Sequence, residues 1–211
     1  MHVTTRLKDR PHENLLSEKG FRGFPSLAFL DAEGNVLTVQ RDRSVAGFEK
    51  TLAALAAQAD LQRRIAKGEK GLEFELFVAE WSLGTLDFAA VEALAGSFKK
   101  LKPAQKEQLA QIVLDAEVMH LIAGAQSEAG FKDAAKRFRE ILDAGKRMPS
   151  ADIEADFWSV LMSKAEKEPV DAALYARGLK EMERIFGKDP KRERMLQQMR
   201  ERLEELQQGD D

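Results

Sequence analysis

Residues 20–37 read GFRGFPSLAFLDAEGNVL, and this stretch has the pattern of a β-hairpin. The run Leu27–Leu30 is short and uniformly apolar, which is typical of a strand covered on both faces, and residues 36–39 form a second β-prone run. Between the two runs, Asp31 is suited to hydrogen-bond forward to the backbone, and Gly34 adopts a positive φ at little cost. We therefore predict two strands joined by a tight turn.

The segments on either side of the hairpin predict a further strand and two helices. Residues 2–7 (HVTTRL) have the composition of a strand, and residues 14–19, followed by Gly20, have that of a short helix with a glycine stop. After the hairpin, Ser44 is suited to cap a helix. The apolar residues of that helix recur at helical spacing, at Phe48, Leu52, Leu55 and Ala59. The predicted order over residues 1–60 is βαββα.

This order, with Gly23-Phe24-Pro25 just before the first hairpin strand, resembles the C-terminal half of thioredoxin-like proteins. In that family the proline at the position of Pro25 faces a redox cysteine pair and shapes the groove in which extended substrates bind. The resemblance therefore implies a peptide-binding groove at Arg22, Phe24 and Pro25. The alternative reading of the same residues is a plain turn before a strand.

The chain departs from the thioredoxin pattern because it contains no cysteine. The half of the fold that carries Cys-x-x-Cys would lie before Met1. Since a thiolate is the nucleophile of dithiol chemistry, we expect no oxidoreductase activity from this chain as it stands. A longer parent protein that includes the Cys-x-x-Cys half would be able to have that activity. The absence of cysteine also excludes disulfides and thiolate metal sites, and no motif indicates a cofactor.

The thioredoxin resemblance also implies an uncovered strand edge. In the family's sheet, one of the strands that would precede Met1 lies between the strands that match residues 3–7 and 27–30. An uncovered edge exposes unpaired backbone donors and acceptors. Three arrangements would cover it: the first strand pairs with residues 27–30, a second copy pairs in a homodimer, or this chain is the C-terminal part of a longer protein.

Composition limits the partners and the location that we expect. Lys and Arg total 33 against 36 acids, which gives a formal charge of −3 without a basic tract, so we expect no nucleic-acid partner. No apolar run approaches the ~18 residues that span a bilayer. With no signal peptide at Met1 we expect a cytoplasmic protein by default, or a periplasmic or secreted one if an N-terminal segment is missing.

Residues 61–211 predict one helix after another. Phe74, Phe77, Val78 and Trp81 form a stripe that ends near Gly84, Asp87 is suited to cap the next helix, and Pro103 to open another. Leu109–Ala123 is apolar almost all round, which predicts a central buried helix. Further helices are predicted near 131–144, 151–167, 171–186 and 190–207, with Asp189-Pro190 at the start of the last and Met199, Leu203 and Leu206 on its apolar side.

Three of these helices share one pattern, with starts 43 and 44 residues apart (131 − 88 and 175 − 131). The copies are Phe88-x-x-Val91-x-x-x-Ala95-x-x-Phe98, Phe131-x-x-Ala134-x-x-x-Phe138-x-x-Ile141 and Tyr175-x-x-Gly178-x-x-x-Met182-x-x-Ile185. The pattern resembles the second helix of a tetratricopeptide repeat, in which a small residue allows close helix approach, although that family repeats every 34 residues. The alternative is another antiparallel helical array, and either one stacks helical hairpins.

No other group of residues predicts catalysis. His2, His12 and His120 are scattered, and we expect His120 to be a core residue. We expect Asp152, Glu154 and Asp156 to favour the start of a helix electrostatically, and Lys191, Arg192 and Arg194 to form a solvated face.

The predicted fold is α+β and mostly α, with a partial thioredoxin-like domain over 1–60 and a tetratricopeptide-like helical domain over 61–211. The functional hypothesis is a non-catalytic protein- or peptide-binding scaffold, which binds near Phe24-Pro25 or on the concave face of the helical array. The alternative is the C-terminal portion of a thioredoxin-family thiol-disulfide oxidoreductase, whose Cys-x-x-Cys half is encoded upstream or supplied by another chain.

Overall fold

The computed structural model describes residues 14–21, 23, 25–167 and 169–208. These residues are mostly helical with one two-stranded antiparallel sheet, which confirms the α+β, mostly α class. The elements are α1 (Leu15–Glu18), β1 (Ala28–Leu30), β2 (Val36–Val39), α2 (Val45–Ala66), α3 (Glu73–Ser82), α4 (Phe88–Ser97), α5 (Pro103–Gly124), α6 (Glu128–Ala144), α7 (Glu154–Ala165), α8 (Ala172–Phe186), a 3-10 turn (Pro190–Arg192) and α9 (Glu193–Gln208).

The chain divides into two compact units, Met1–Ala90 and Val91–Asp211. The composition boundary predicted after residue 60 lies within α2, which continues to Ala66 and packs against α3. The predicted domains 1–60 and 61–211 and the thioredoxin-like unit stay predictions, because the strand expected over residues 2–7 lies outside the described residues.

The hairpin of the first unit is confirmed. β1 and β2 pair with Phe29 opposite Thr38, and an irregularity follows Phe29. The turn uses the two residues that the sequence singles out. An Asp31 carboxylate oxygen accepts from the Asn35 N–H at 2.7 Å, and Gly34 has a φ of 83°. A side chain at Gly34 would be strained by this positive φ, so the residue types of the turn set the geometry of the hairpin.

One side of the hairpin packs against the rest of the first unit. The rings of Phe29 and Phe48 meet edge to face at 5.9 Å, and the buried Thr38 hydroxyl donates to the Leu83 carbonyl at 2.5 Å. Leu30 and Val39, by contrast, are 47% and 45% exposed. The predicted cap of α2 is confirmed, because the Ser44 hydroxyl accepts from the Gly47 N–H at 3.0 Å.

The core of the second unit is built around α7. Consecutive helices from α5 to α9 pack against one another, and α7 also contacts α5. The rings of Phe138 and Phe157 stack at 4.7 Å, and Phe157 meets Trp158 edge to face at 5.7 Å. α9 completes the unit as predicted, because Leu206 is buried and Met199 and Leu203 are partly buried against the core.

The prediction that residues 109–123 form the central buried helix is wrong. α5 buries Ile112, Ala116 and Val118 among its apolar residues, but Met119 is 38% exposed. α7 is more deeply buried because it has neighbours on several sides, and its buried residues are Glu154, Phe157, Trp158, Leu161, Met162 and Ala165. Apolar composition alone therefore does not decide which helix lies at the centre.

The small residue of the repeated pattern permits close helix approach in α8. Gly178 is buried, and a Cβ there would contact Met162 of α7, at 2.8 Å from its Sδ. The equivalent residue of α6, Ala134, is fully buried, as is Phe138. In the first copy Val91 is fully buried, but Phe98 lies beyond the end of α4. The pattern thus marks packing positions, and the tetratricopeptide resemblance itself stays a prediction.

We predict that Gly178→Ala destabilises the protein, because overpacking against Met162 costs about 1–3 kcal/mol and exceeds the helix-propensity gain of at most about 1 kcal/mol. Gly96→Ala in α4 is the control, since its Cβ would meet nothing within 4 Å, and we expect it to be neutral or stabilising. Urea unfolding measures both. Met162→Ala should reduce the cost of Gly178→Ala, and a Gly178→Ala protein as stable as the Gly96→Ala protein would contradict the packing.

We predict that Tyr175 ionises only above its ordinary pKa of 10.0, because burial disfavours the phenolate and raises the pKa. Above pH 10 the unfolded chain loses this proton first, so the stability associated with Tyr175 is present below pH 10 and is lost as the pH rises towards the folded pKa. The chain has one tyrosine, so the ultraviolet absorbance of tyrosinate reports this group alone. The Tyr175→Phe protein provides the blank for the absorbance. The prediction is refuted if the pH midpoint of tyrosine ionisation in the native protein lies at or below that of the urea-unfolded protein.

Candidate functional site

The groove implied by the thioredoxin resemblance is described only at Pro25. Arg22 and Phe24 lie outside the described residues. Pro25 is exposed, and its carbonyl accepts a hydrogen bond from an Arg43 guanidinium nitrogen at 3.0 Å. This contact ties the segment before β1 to the segment before α2. A peptide-binding groove at Arg22, Phe24 and Pro25 stays a prediction.

A second candidate site is a groove of about 550 Å³ in the helical unit, which we call the α6–α8 groove. It lies between α6, the C-terminal half of α7 and the start of α8. Its apolar residues are Ala135, Leu161, Ala165, Pro169, Val170 and Leu174. Ala135 and Ala165 are 3% and 1% exposed, so short side chains on α6 and α7 form part of its floor. Longer side chains at these two positions would fill the groove.

The described acidic side chains that line the α6–α8 groove all have partners. One carboxylate oxygen of Asp171 accepts from the Leu174 N–H at 2.8 Å and so caps α8, and the other accepts from Arg139 at 3.0 Å. The backbone hydrogen bond and then Arg139 hold the pKa of Asp171 below its ordinary 3.8. Arg139 also pairs with Asp143 at 3.1 Å. Glu140 pairs with Arg137 at 3.1 Å.

Of the four described basic side chains that line the groove, two have no acidic partner among the described residues. Lys132 pairs with Glu128 at 2.7 Å, and Arg139 has the two carboxylates just described. Lys136 and Lys164 form no ion pair within the part of the chain that the structure describes. The described residues of the lining include no hydroxyl, thiol or imidazole, and their carboxylates are ion-paired. The arrangement is therefore better suited to binding than to nucleophilic or acid-base chemistry.

The other candidates from the sequence are structural. The prediction of a core position for His120 is wrong, because His120 is exposed, as is its neighbour Met119 in the second half of α5. Glu154 and Asp156 lie in the first turn of α7 as expected, and Glu154 is paired with Arg184 at 2.5 Å. Asp152 is exposed just before them. Among the described residues, no three acidic or histidine side chains come close enough together to hold a metal ion.

The basic residues at the start of α9 form a solvated face as predicted. Lys191, Arg192 and Arg194 are exposed, and the Arg192 guanidinium lies 5.2 Å from the centre of the Phe186 ring. Over residues 14–208, apart from those the structure leaves undescribed, no helix combines the length and apolarity needed to cross a bilayer.

Sequence reasoning did not identify the residues of the α6–α8 groove. Lys136 and Lys164 belong to different helices, and each stands in sequence beside an alanine, Ala135 or Ala165, that is buried in the floor. A lysine next to a small core residue is the available signal, but it is common in amphipathic helices. Only the packing of α6 against α7 brings the two lysines to one groove.

Comparison with protein-family models gives no match, and comparison with curated proteins and with solved structures gives none either. The thioredoxin-like and tetratricopeptide-like resemblances therefore stay predictions, and the function of the chain is inferred from its own residues and geometry.

Proposed function

We propose that the protein is a non-catalytic scaffold whose α6–α8 groove binds an extended peptide segment of a partner protein. The observation that carries this proposal is the apolar floor of the groove beside Lys136 and Lys164, which have no acidic partner among the described residues. Stacked helical hairpins commonly present such surfaces to peptides. The site is concave, apolar at its base and polar at its rim, as binding sites generally are.

The floor offers room for side chains of the peptide. Leu161, Val170 and Leu174 provide apolar surface, and burial of one Leu- or Val-sized side chain there contributes about 1.5–3 kcal/mol. Association entropy opposes this gain, so one inserted side chain gives weak binding. We therefore expect the charged rim to contribute to affinity and selection as well.

The first unit supplies a second surface in this proposal. It contains no cysteine, and in this proposal it would bind a peptide at Arg22, Phe24 and Pro25 without dithiol chemistry. The hydrogen bond from Arg43 to the Pro25 carbonyl supports the loop that precedes β1.

A second candidate function is the C-terminal portion of a thioredoxin-family thiol-disulfide oxidoreductase. It is favoured by the exposed apolar side of the hairpin, where Leu30 and Val39 would be covered by a further layer of the fold. In this candidate the Cys-x-x-Cys half is encoded upstream or comes from another chain. Translation of the DNA before Met1 in the same frame tests the upstream form, because a strand and a Cys-x-x-Cys helix should follow without a stop.

We predict that peptides selected from a random-sequence display library by the wild-type protein bind Lys136→Trp about tenfold more weakly. The indole would cover the floor and prevent burial of one apolar side chain, which corresponds to about 1.4 kcal/mol or more. Lys180→Trp on α8 is the matched control, because Lys180 is exposed and does not line the groove. Fluorescence anisotropy with the selected peptides measures the affinities.

The proposal fails if the wild-type protein selects no peptide above background, or if the selected peptides bind Lys136→Trp and Lys180→Trp equally well. Circular dichroism of both variants checks that each remains folded, so that a loss of binding reports the groove.

A further inference from the structure

We propose that the α6–α8 groove selects an acidic peptide segment, in which carboxylates flank an apolar side chain. This inference rests on the proposed function and adds the chemical class of the ligand. It follows because the described acidic side chains around the groove have partners, whereas two of its lysines form no ion pair among the described residues.

The described acidic side chains of the rim already have partners within the protein. Asp171 accepts from both the Leu174 N–H and Arg139, and Asp143 shares the same guanidinium. A basic peptide would have to compete with Arg139 for these carboxylates. It would also pull Asp171 away from its capping position, and loss of a helix cap is destabilising. Among the residues that the structure describes, the groove therefore offers no carboxylate that is ready to receive a cation.

The positive charges include two that are ready to receive an anion. Lys136 extends from α6 and Lys164 from the last turn of α7, and neither has a carboxylate within 4.0 Å among the described residues. A peptide carboxylate would therefore gain an ion pair at each lysine without displacing any ion pair of the described residues. The apolar floor between α6 and α7 would receive the side chain between the two carboxylates.

A third lysine, Lys167, also lies close to residues of the groove. The Lys167 ammonium, just beyond α7, lies 4.0 Å from the centre of the Phe131 ring and forms no ion pair within the described residues. Phe131 directly precedes Lys132, which lines the groove. The ring holds this ammonium by a cation–π contact, and a cation–π contact leaves it able to pair with a further carboxylate.

The local charge contrasts with the charge of the whole chain. The formal net charge is −3, so long-range attraction does not draw acidic partners to this protein. Selection of an acidic segment must come from contacts at short range in the groove. A nucleic acid fits less well, because its affinity depends on many phosphate contacts, whereas the groove combines a few lysines with an apolar floor.

The test compares three synthetic peptides of equal length that share a central pair of leucines. The leucines are flanked by Asp and Glu, by Lys, or by Ser and Gln, and a single-stranded oligonucleotide serves as a fourth probe. Fluorescence anisotropy measures binding to the full chain at low and high salt. We expect the acidic peptide to bind tightest, and its affinity to fall as salt screens the exposed charges.

We expect the double variant Lys136→Gln/Lys164→Gln to bind the acidic peptide about 2- to 30-fold more weakly, which is the effect of losing two solvent-accessible ion pairs. The matched control is Lys106→Gln/Lys180→Gln, which removes two exposed helical lysines outside the groove and should bind like the wild type. Thermal unfolding of both double variants checks that they are folded.

The inference is overturned if the neutral or basic peptide binds as well as the acidic one, if the oligonucleotide binds tighter, or if the double variant keeps full affinity for the acidic peptide. If a neutral or basic peptide binds the wild type and binds Lys136→Trp more weakly, the proposed peptide groove is supported and only its preference for acidic peptides is refuted. If no synthetic peptide binds, the preference is refuted, and the display selection alone decides the proposed function.

Discussion

The close packing of α7 against α8 at Gly178 is the contact on which the helical unit depends. The absence of a side chain at Gly178 leaves space for Met162, which lies one turn after Trp158 on α7. This approach buries Trp158, with an exposed fraction of 2%, in the centre of the unit. The same helix supplies Leu161 and Ala165 to the floor of the groove. The core and the proposed binding site are therefore two sides of one packing arrangement.

Arginine and lysine have different roles in this unit. Arg137 forms a forked pair across α6 and α5 to Glu117, at 2.6 and 3.2 Å, and Arg184 and Arg200 pair with acids of neighbouring helices. The planar guanidinium suits such two-pronged contacts, whereas the ammonium of lysine is a compact charge on a flexible stem. Exposed pairs of this kind each contribute little to stability. At the groove, Arg137 and Arg139 pair with its described acids Glu140, Asp143 and Asp171, whereas Lys136 and Lys164 form no ion pair among the described residues.

Local chemistry made much of the secondary structure predictable. The Asp31 and Gly34 turn and the cap at Ser44 depend on residues within a few positions of each other, and so does the cap at Asp87, which accepts from the Ala90 N–H at 2.8 Å. The internal repeat also located a true packing position at Gly178, because the requirement for a small side chain is visible in the residue type.

The errors and omissions concern long-range packing. The apolar composition of residues 109–123 does not reveal that α7 has more neighbours than α5, so the centre of the unit and the place of His120 were mispredicted. The groove could not be predicted for the same reason, because only the packing of α6 against α7 places Lys136 and Lys164 along one groove.

The most direct measurement of the central claim is nuclear magnetic resonance mapping of a bound peptide on the isotope-labelled full chain. The account predicts that titration with a binding peptide shifts the amide and methyl signals of α6, the second half of α7 and the start of α8, with the largest methyl changes at Leu161 and Leu174. Signals that shift only in the first unit, or on α9, would contradict the α6–α8 groove as the binding site.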